Sequence, residues 1–290
     1  LLHSLLRQGL RLFEAVQRAV RELKGAYAIA AISRAEPGTV VGSRCGAPLL
    51  LGVGHDGRGD GENFLASDTS ALLQVTRHVA YLEEGDVAEI RSDRYRIVNA
   101  QGAQVNRPVI LSQLSADAIE LGHHAHYMQK EIFEQPGAIA NTLEMLLGAS
   151  SIEPGLFGAD AKPILSRARQ VLILACGTSY HAGCVARYWL ESIAGIPTTV
   201  EIASEYRYRE SVALDDTLVV TISQSGETAD TLAALGHAHA QGLTDSLTIC
   251  NAPESALIRA SKLRFLTRAG PEIGVASTKA FTTQLAALFV

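Results

Sequence analysis

The sequence has 290 residues, 47% of them hydrophobic and 19% charged, with a formal net charge of −5 at pH 7; this excludes a disordered chain and, with no basic stripe, a nucleic-acid or other polyanion partner. Cys45, Cys176, Cys184 and Cys250 form no C-x-x-C pair and are too sparse for a disulfide scaffold, so reduced thiols in a cytoplasmic protein are expected. No signal-peptide pattern leads the chain, and no apolar run approaches the roughly 20 residues of a membrane span.

The sequence opens without methionine inside what reads as helix, and it stops in an apolar run, residues 285–290, with no helix-ending signal. Both ends therefore read as cut. Phe13, Val16, Val20 and Leu23 recur at helical spacing, with Gly25 placed to stop the helix. Residues 26–32 form an apolar strand, and further strands are expected at 48–53, 64–67, 79–83, 87–91 and 95–99. Glycine turns at 84–86 and 101–102 separate the later strands, and Asp68 and Ser70 stand where they would cap a short helix over 71–75. This part predicts antiparallel β-structure with flanking helices. From 115 to 148 the pattern turns helical: Tyr127, Ile132 and Phe133 share one helix, and Pro136 is expected to open the next, which carries Ile139, Leu143, Leu146 and Leu147. Residues 148–162 have the composition of a loop.

The rhythm then changes. Continuous apolar strands at 170–175, 198–202, 217–222 and 246–249, with a short fifth at 265–267, alternate with helices, one through Tyr188 and Trp189 (expected in its core) and one through Leu235. That alternation predicts a parallel sheet covered on both faces, with any ligand beyond the carboxyl ends of its strands.

Two of those strand ends look alike. One continues as CGTS at 176–179, the other as SQSGET at 223–228. Each sets hydroxyls and a glycine between a buried strand and a helix start, where free N–H groups, the positive helix end and close approach suit a phosphate. Hydrogen bonds to a charged group contribute about 1.5–3 kcal/mol each, so several could hold a phosphate without lysine or arginine. Serine and threonine at such junctions also serve as plain N-caps. Neither stretch is a P-loop or a G-x-G-x-x-G, which argues against a nucleotide.

The stretch SQSGETADT at 223–231 resembles the signature loop of sugar isomerase (SIS) domains. Together with ILACGTSY at 173–180, VEIASE at 200–205, EIGVASTKAFT at 272–282, and upstream GENFLASD at 61–68, LEEGD at 82–86 and HYMQKEI at 126–132, the chain is similar to the glucosamine-6-phosphate synthase family, also known as isomerizing glutamine–fructose-6-phosphate aminotransferases. The resemblance implies an internal fragment in three parts: the C-terminal part of an α+β class II glutaminase domain at 1–112, a helical linker leading into the isomerase half at 113–161, and a truncated first SIS domain, an α/β three-layer parallel-sheet fold, at 162–290. It implies a parent enzyme that moves the amide nitrogen of glutamine onto fructose 6-phosphate and isomerises the product to glucosamine 6-phosphate, for amino-sugar synthesis, without a cofactor and as a homodimer through the isomerase half. Thr178, Ser179, Ser223, Gln224, Ser225 and Thr228 would then hold the sugar phosphate, with Val275 and Ser277 approaching the sugar hydroxyls. Cys176 would lie beside the sugar as a buried structural thiol, not a nucleophile. The family's bond-breaking residues fall outside the segment, so this stretch alone is expected to bind without turning over.

Other features invite different chemistry. His123, His124, His126 and His55 are expected as surface histidines, since i, i+1 and i+3 do not present three ligands to one ion. Residues 56–61 resemble the start of a calcium loop, but Arg58 replaces an acidic ligand and Ser67 stands where a glutamate is needed. The Arg58-Gly59-Asp60 tripeptide has no expected partner in a cytoplasmic enzyme. The rival reading is a non-catalytic sugar-phosphate-sensing SIS module, which the glutaminase-like half opposes.

Overall fold

The computed structural model describes residues 1–54, 61–112, 120–253 and 255–290. His55, residues 56–60 of the calcium-loop-like stretch and the start of the expected linker lie outside them, as does the side chain of Ser70. The chain divides into two units, Leu1–Ile119 and Glu120–Val290.

The first unit is built on alternation. Among the described residues, helices α1 (Leu2–Arg7) and α2 (Leu12–Val20) precede strands β1 (Tyr27–Ile32), β2 (Val40–Cys45), β3 (Leu50–Gly54), β4 (Glu62–Ala66), β5 (His78–Tyr81), β6 (Val87–Ile90), β7 (Tyr95–Val98), β8 (Gln104–Val105) and β9 (Ile110–Leu111). They pair antiparallel in two sheets, ordered β1-β2-β6-β7-β8 and β4-β3-β5-β9. Period-two alternation sends Ala88, Ile90 and Ile97 to meet Leu49, Leu51, Ala80 and Leu82 between the sheets, while Val87 and Val98 face Leu12, Phe13 and Val16 of α2. Helix α2 stops at Val20, and Leu23 beyond it is exposed. Strand β2 was not legible: its Gly-Ser-Arg-Cys end looks like a turn. Gly42 belongs there because a Cβ would sit 2.6 Å from Leu65 Cδ1. The expected helix at 71–75 is a 3-10 turn at Thr69–Leu72.

The second unit opens with α3 (Tyr127–Leu143), one continuous helix where the sequence suggested two. Pro136 lacks the N–H that would reach the carbonyl of Ile132, and the side-chain amide of Gln135 donates to that oxygen instead at 3.0 Å. Next come α4 (Ala161–Arg167), β10 (Gln170–Ala175), α5 (Gly177–Ser192), β11 (Thr198–Ile202), α6 (Ala203–Tyr206), β12 (Thr217–Ser223), α7 (Ala229–Ala240), β13 (Ser246–Cys250), α8 (Ala256–Ala260), β14 (Leu263–Leu266) and α9 (Lys279–Phe289). The sheet is parallel throughout, in the order β11-β10-β12-β13-β14. Val171, Ile173, Val220, Ile222 and Phe265 build one core with Ala186 of α5 and Ala287 of α9; Leu174 and Val219 build the other with Leu235 of α7 and Leu257 of α8. Trp189 packs against the first core, its ring edge-on to Phe289 at 5.3 Å, but Tyr188 is exposed, since only one face of α5 meets the sheet.

Candidate functional site

Chain order reverses between β10 and β12: β11 lies to one side of β10, and the later strands follow on the other. In doubly wound sheets the ligand crevice opens at the carboxyl ends of the two strands flanking that reversal. Here Ala175 pairs with Ile222 as the last step of the β10–β12 register, so Cys176 and Ser223 follow side by side at the carboxyl ends of the two strands. Both stretches singled out in the sequence therefore start from neighbouring strands.

The first turn passes directly into α5. Cys176 is the N-cap residue, Gly177 sits at φ +57°, and no side chain caps the helix. Thr178 is exposed and Ser179 is buried, and neither hydroxyl bonds to another described group. Cys176 is only half-buried, packed against the second core beside Leu174; the sequence expectation was a buried thiol.

The second turn is tied to itself. Ser223 Oγ lies 2.9 Å from Thr228 Oγ1 and accepts the N–H of Gly226 at 3.0 Å, while Ser225 Oγ accepts the N–H of Glu227 at 3.1 Å. Thr228 is the N-cap residue of α7, yet its hydroxyl turns back to Ser223 and makes no capping bond. Plain N-capping is thus not what these side chains do. The first-turn N–H groups of α5 and α7 keep no side-chain cap, and the side chain of Gln224 makes no hydrogen bond within the described structure.

Beneath this turn lies a dense footing. Gly226 sits at φ +66°, and a Cβ there would come 2.0 Å from Ser255 Oγ and 2.6 Å from Cys250 Sγ. Glu227 accepts the N–H of Ala256 at 2.8 Å, and Gly226 O accepts that of Leu257 at 3.0 Å. Burial above all pushes the Cys250 thiol up from its ordinary range, which leaves it an inert packing group.

Val275 and Ser277 do not join these turns directly. They stand on the loop after β14, with β13 between that strand and β12. Val275 is fully exposed, and Ser277 Oγ donates to Glu272 Oε2 at 3.1 Å. Sequence reasoning missed Asn251, which links the two regions: its N–H donates to Gln224 O at 3.2 Å, and its side chain binds Ala269 N–H and Gly270 O, each at 2.7 Å. Its position just past the fourth apolar strand was the signal available.

Among the described residues no three His, Cys, Asp or Glu side chains gather where one metal ion could be held. The rings of His123 and His124 lie 4.0 Å apart, and His124 stacks on Phe133. No described helix is long and apolar enough to cross a membrane.

Residues 164–290 match the SIS domain family. Glutamine–fructose-6-phosphate aminotransferase (isomerizing) of Xylella fastidiosa is 55% identical over 289 residues, all of this chain and 47% of that protein. The enzyme of the same name from Bordetella parapertussis is 57% identical over 96% of this chain and 44% of its own length. The chain thus spans about half the length of the curated relatives it matches. Among solved structures, the C-terminal domain of glucosamine-fructose-6-phosphate aminotransferase from Francisella tularensis superposes with a TM-score of 0.57 at 51% identity, covering 58% of this chain and 47% of that one. The chain is similar throughout to the isomerizing glutamine–fructose-6-phosphate aminotransferases, and its residues 164–290 match the SIS domain family.

Proposed function

We propose that this chain carries the fructose 6-phosphate site of an enzyme that moves the amide nitrogen of glutamine onto that sugar and isomerises it to glucosamine 6-phosphate. The observation that carries the reading is the pair of uncapped, hydroxyl-bearing turns leaving adjacent strands where the chain order reverses. In this reading Thr178, Ser179, Ser223, Gln224, Ser225 and Thr228 hold the phosphate through uncharged donors and the N–H groups of two helix starts. Val275 and Ser277 approach the sugar hydroxyls, and Cys176 lines the site without reacting. The work of these residues is to bind and pre-orient the open or closed sugar, the share of catalysis that comes from positioning.

The first unit, with two antiparallel sheets and a covering helix, is read as the C-terminal part of a class II glutaminase domain, and 113–161 as the linker. Glutamine is then the second substrate, the isomerase halves pair as a homodimer, and the enzyme works in the cytoplasm. The test is calorimetric titration of the chain with fructose 6-phosphate. Replacing Ser225 and Thr228 together by alanine is expected to weaken binding by well over roughly tenfold, as loss of two bonds to a charged group implies. Unchanged affinity removes the phosphate role.

A further inference from the structure

The loop that follows β14 is fastened more firmly than a connection needs to be. Asn251 secures its beginning, at Ala269 and Gly270. Glu272 secures its end: Oε1 accepts the N–H groups of Thr278 at 2.8 Å and Ala280 at 3.1 Å, and Oε2 accepts from Ser277 Oγ. The middle is held from another element. Glu131 of α3 accepts the N–H of Ile273 at 2.5 Å and that of Gly274 at 3.0 Å on Oε1, with Oε2 also 3.2 Å from the latter nitrogen.

Glu131 is 2% exposed. Glutamate is seldom buried this far, because its desolvation must be offset by bonds, and here the bonds go to loop backbone. Gly274 allows the approach: a Cβ there would lie 2.5 Å from Glu131 Oε2 and 3.4 Å from Met128 Cα. One turn along α3, Glu134 meets the buried Lys279 at the start of α9 with a 2.6 Å contact. Yet the part of the loop displayed between these anchors is Val275 and Ala276, both exposed. A backbone tied down on both sides that presents an apolar side chain to solvent is built to offer it to something.

We infer that Glu131 is a positioning residue for the carbon-chain end of the sugar site, holding the backbone of Ile273 and Gly274 so that Val275 and Ser277 stand preset for the substrate. This rests on the fructose 6-phosphate reading above and extends it to α3, a helix outside the residues that match the SIS family. The phosphate turn has its own footing on Ser255 and Ala256, and Glu131 bonds to the loop and not to that turn. Loss of Glu131 therefore acts on the sugar and not on the phosphate.

The test compares two ligands on the full 290-residue chain, fructose 6-phosphate and inorganic phosphate, by calorimetry. Glu131→Ala is expected to weaken fructose 6-phosphate by roughly tenfold and inorganic phosphate by less than about twofold, since the loop must now be ordered at the moment of binding. Glu131→Gln keeps an acceptor for both N–H groups and should stay within about threefold of the parent. Gly274→Ala disturbs the same contact from the loop side and should reproduce Glu131→Ala. Parallel loss of both ligands would show a merely structural role and overturn the inference, as would unchanged fructose 6-phosphate affinity in both Glu131→Ala and Gly274→Ala. If the parent chain binds inorganic phosphate but no fructose 6-phosphate, the functional reading itself falls and takes this one with it.

Discussion

Gly226 shows how much of a residue's purpose the sequence can hold. Its place in a strand-to-helix turn marked it as the glycine that lets backbone approach an anion, and φ +66° agrees with that need. The nearer constraint came from Ser255 and Cys250, too far along the chain for any local pattern to connect with it. His239 was not singled out at all. Burial foremost, and Lys262 after it, holds its imidazolium pKa below the ordinary 6.5, with Nε2 3.4 Å from Ser246 Oγ. The unfolded chain then takes up a proton near pH 6.5 while the folded chain does so only at lower pH, so stability rises with pH through that window. The contribution is complete above about pH 6.5 and is lost as pH falls toward the depressed value. Urea midpoints measured between pH 7.5 and 5.5 should fall more steeply for the parent than for His239→Gln, and equal slopes would dismiss the effect.

At the scale of elements, strands with plain alternation or continuous apolar runs were legible, and β2 and the continuity of α3 were among the features that were not. Strand β2 was hidden because its side chains after Val41 are small or polar; it is a strand because β1 and β6 pair with it on both sides. Helix α3 was divided at Pro136 because the rule for proline counts only backbone donors, whereas Gln135 supplies a side-chain donor in their place. The turn at 84–86 was foreseen, but not its clamp. Arg107 Nε and Nη2 each donate to a carboxylate oxygen of Asp86 at 2.8 Å, and Asp86 is wholly buried and also accepts the N–H of Glu83. The hydrogen bond to Asp86 chiefly, against some desolvation, raises the Arg107 guanidinium above its ordinary value. Arg107→Ala leaves a buried carboxylate without its cation and should lower the stability of the first unit by about 3 kcal/mol, read from chemical denaturation. A change below about 0.5 kcal/mol would mean that water reaches Asp86 and replaces the partner.

For the whole molecule, the division into two units carries a consequence for function. Every residue assigned to the sugar site, and both hydrophobic cores beneath it, fall within Glu120–Val290. A polypeptide of residues 120–290 is therefore expected to fold cooperatively and to bind fructose 6-phosphate within about threefold of the 290-residue chain, since area and anchors are unchanged. Circular dichroism melting and calorimetry check this, and a soluble, folded 120–290 without affinity would mean that the first unit contributes to the site.

What the sequence by itself determined was local: apolar runs that must be buried strands, the amphipathic helices between them, and two turns rich in hydroxyls with glycine where a helix begins. Those features depend on residues within a few positions of each other, so the chain states them directly. Only the tertiary structure decided that β10 and β12 are neighbours, that Thr228 bonds back to Ser223 instead of capping its helix, and that Glu131 reaches the loop at Ile273 and Gly274. Strand order follows from how crossover helices cover the two faces of a twisted sheet, and the partner of a buried polar atom is whichever group packing brings within 3 Å. Neither is written in any short stretch of residues.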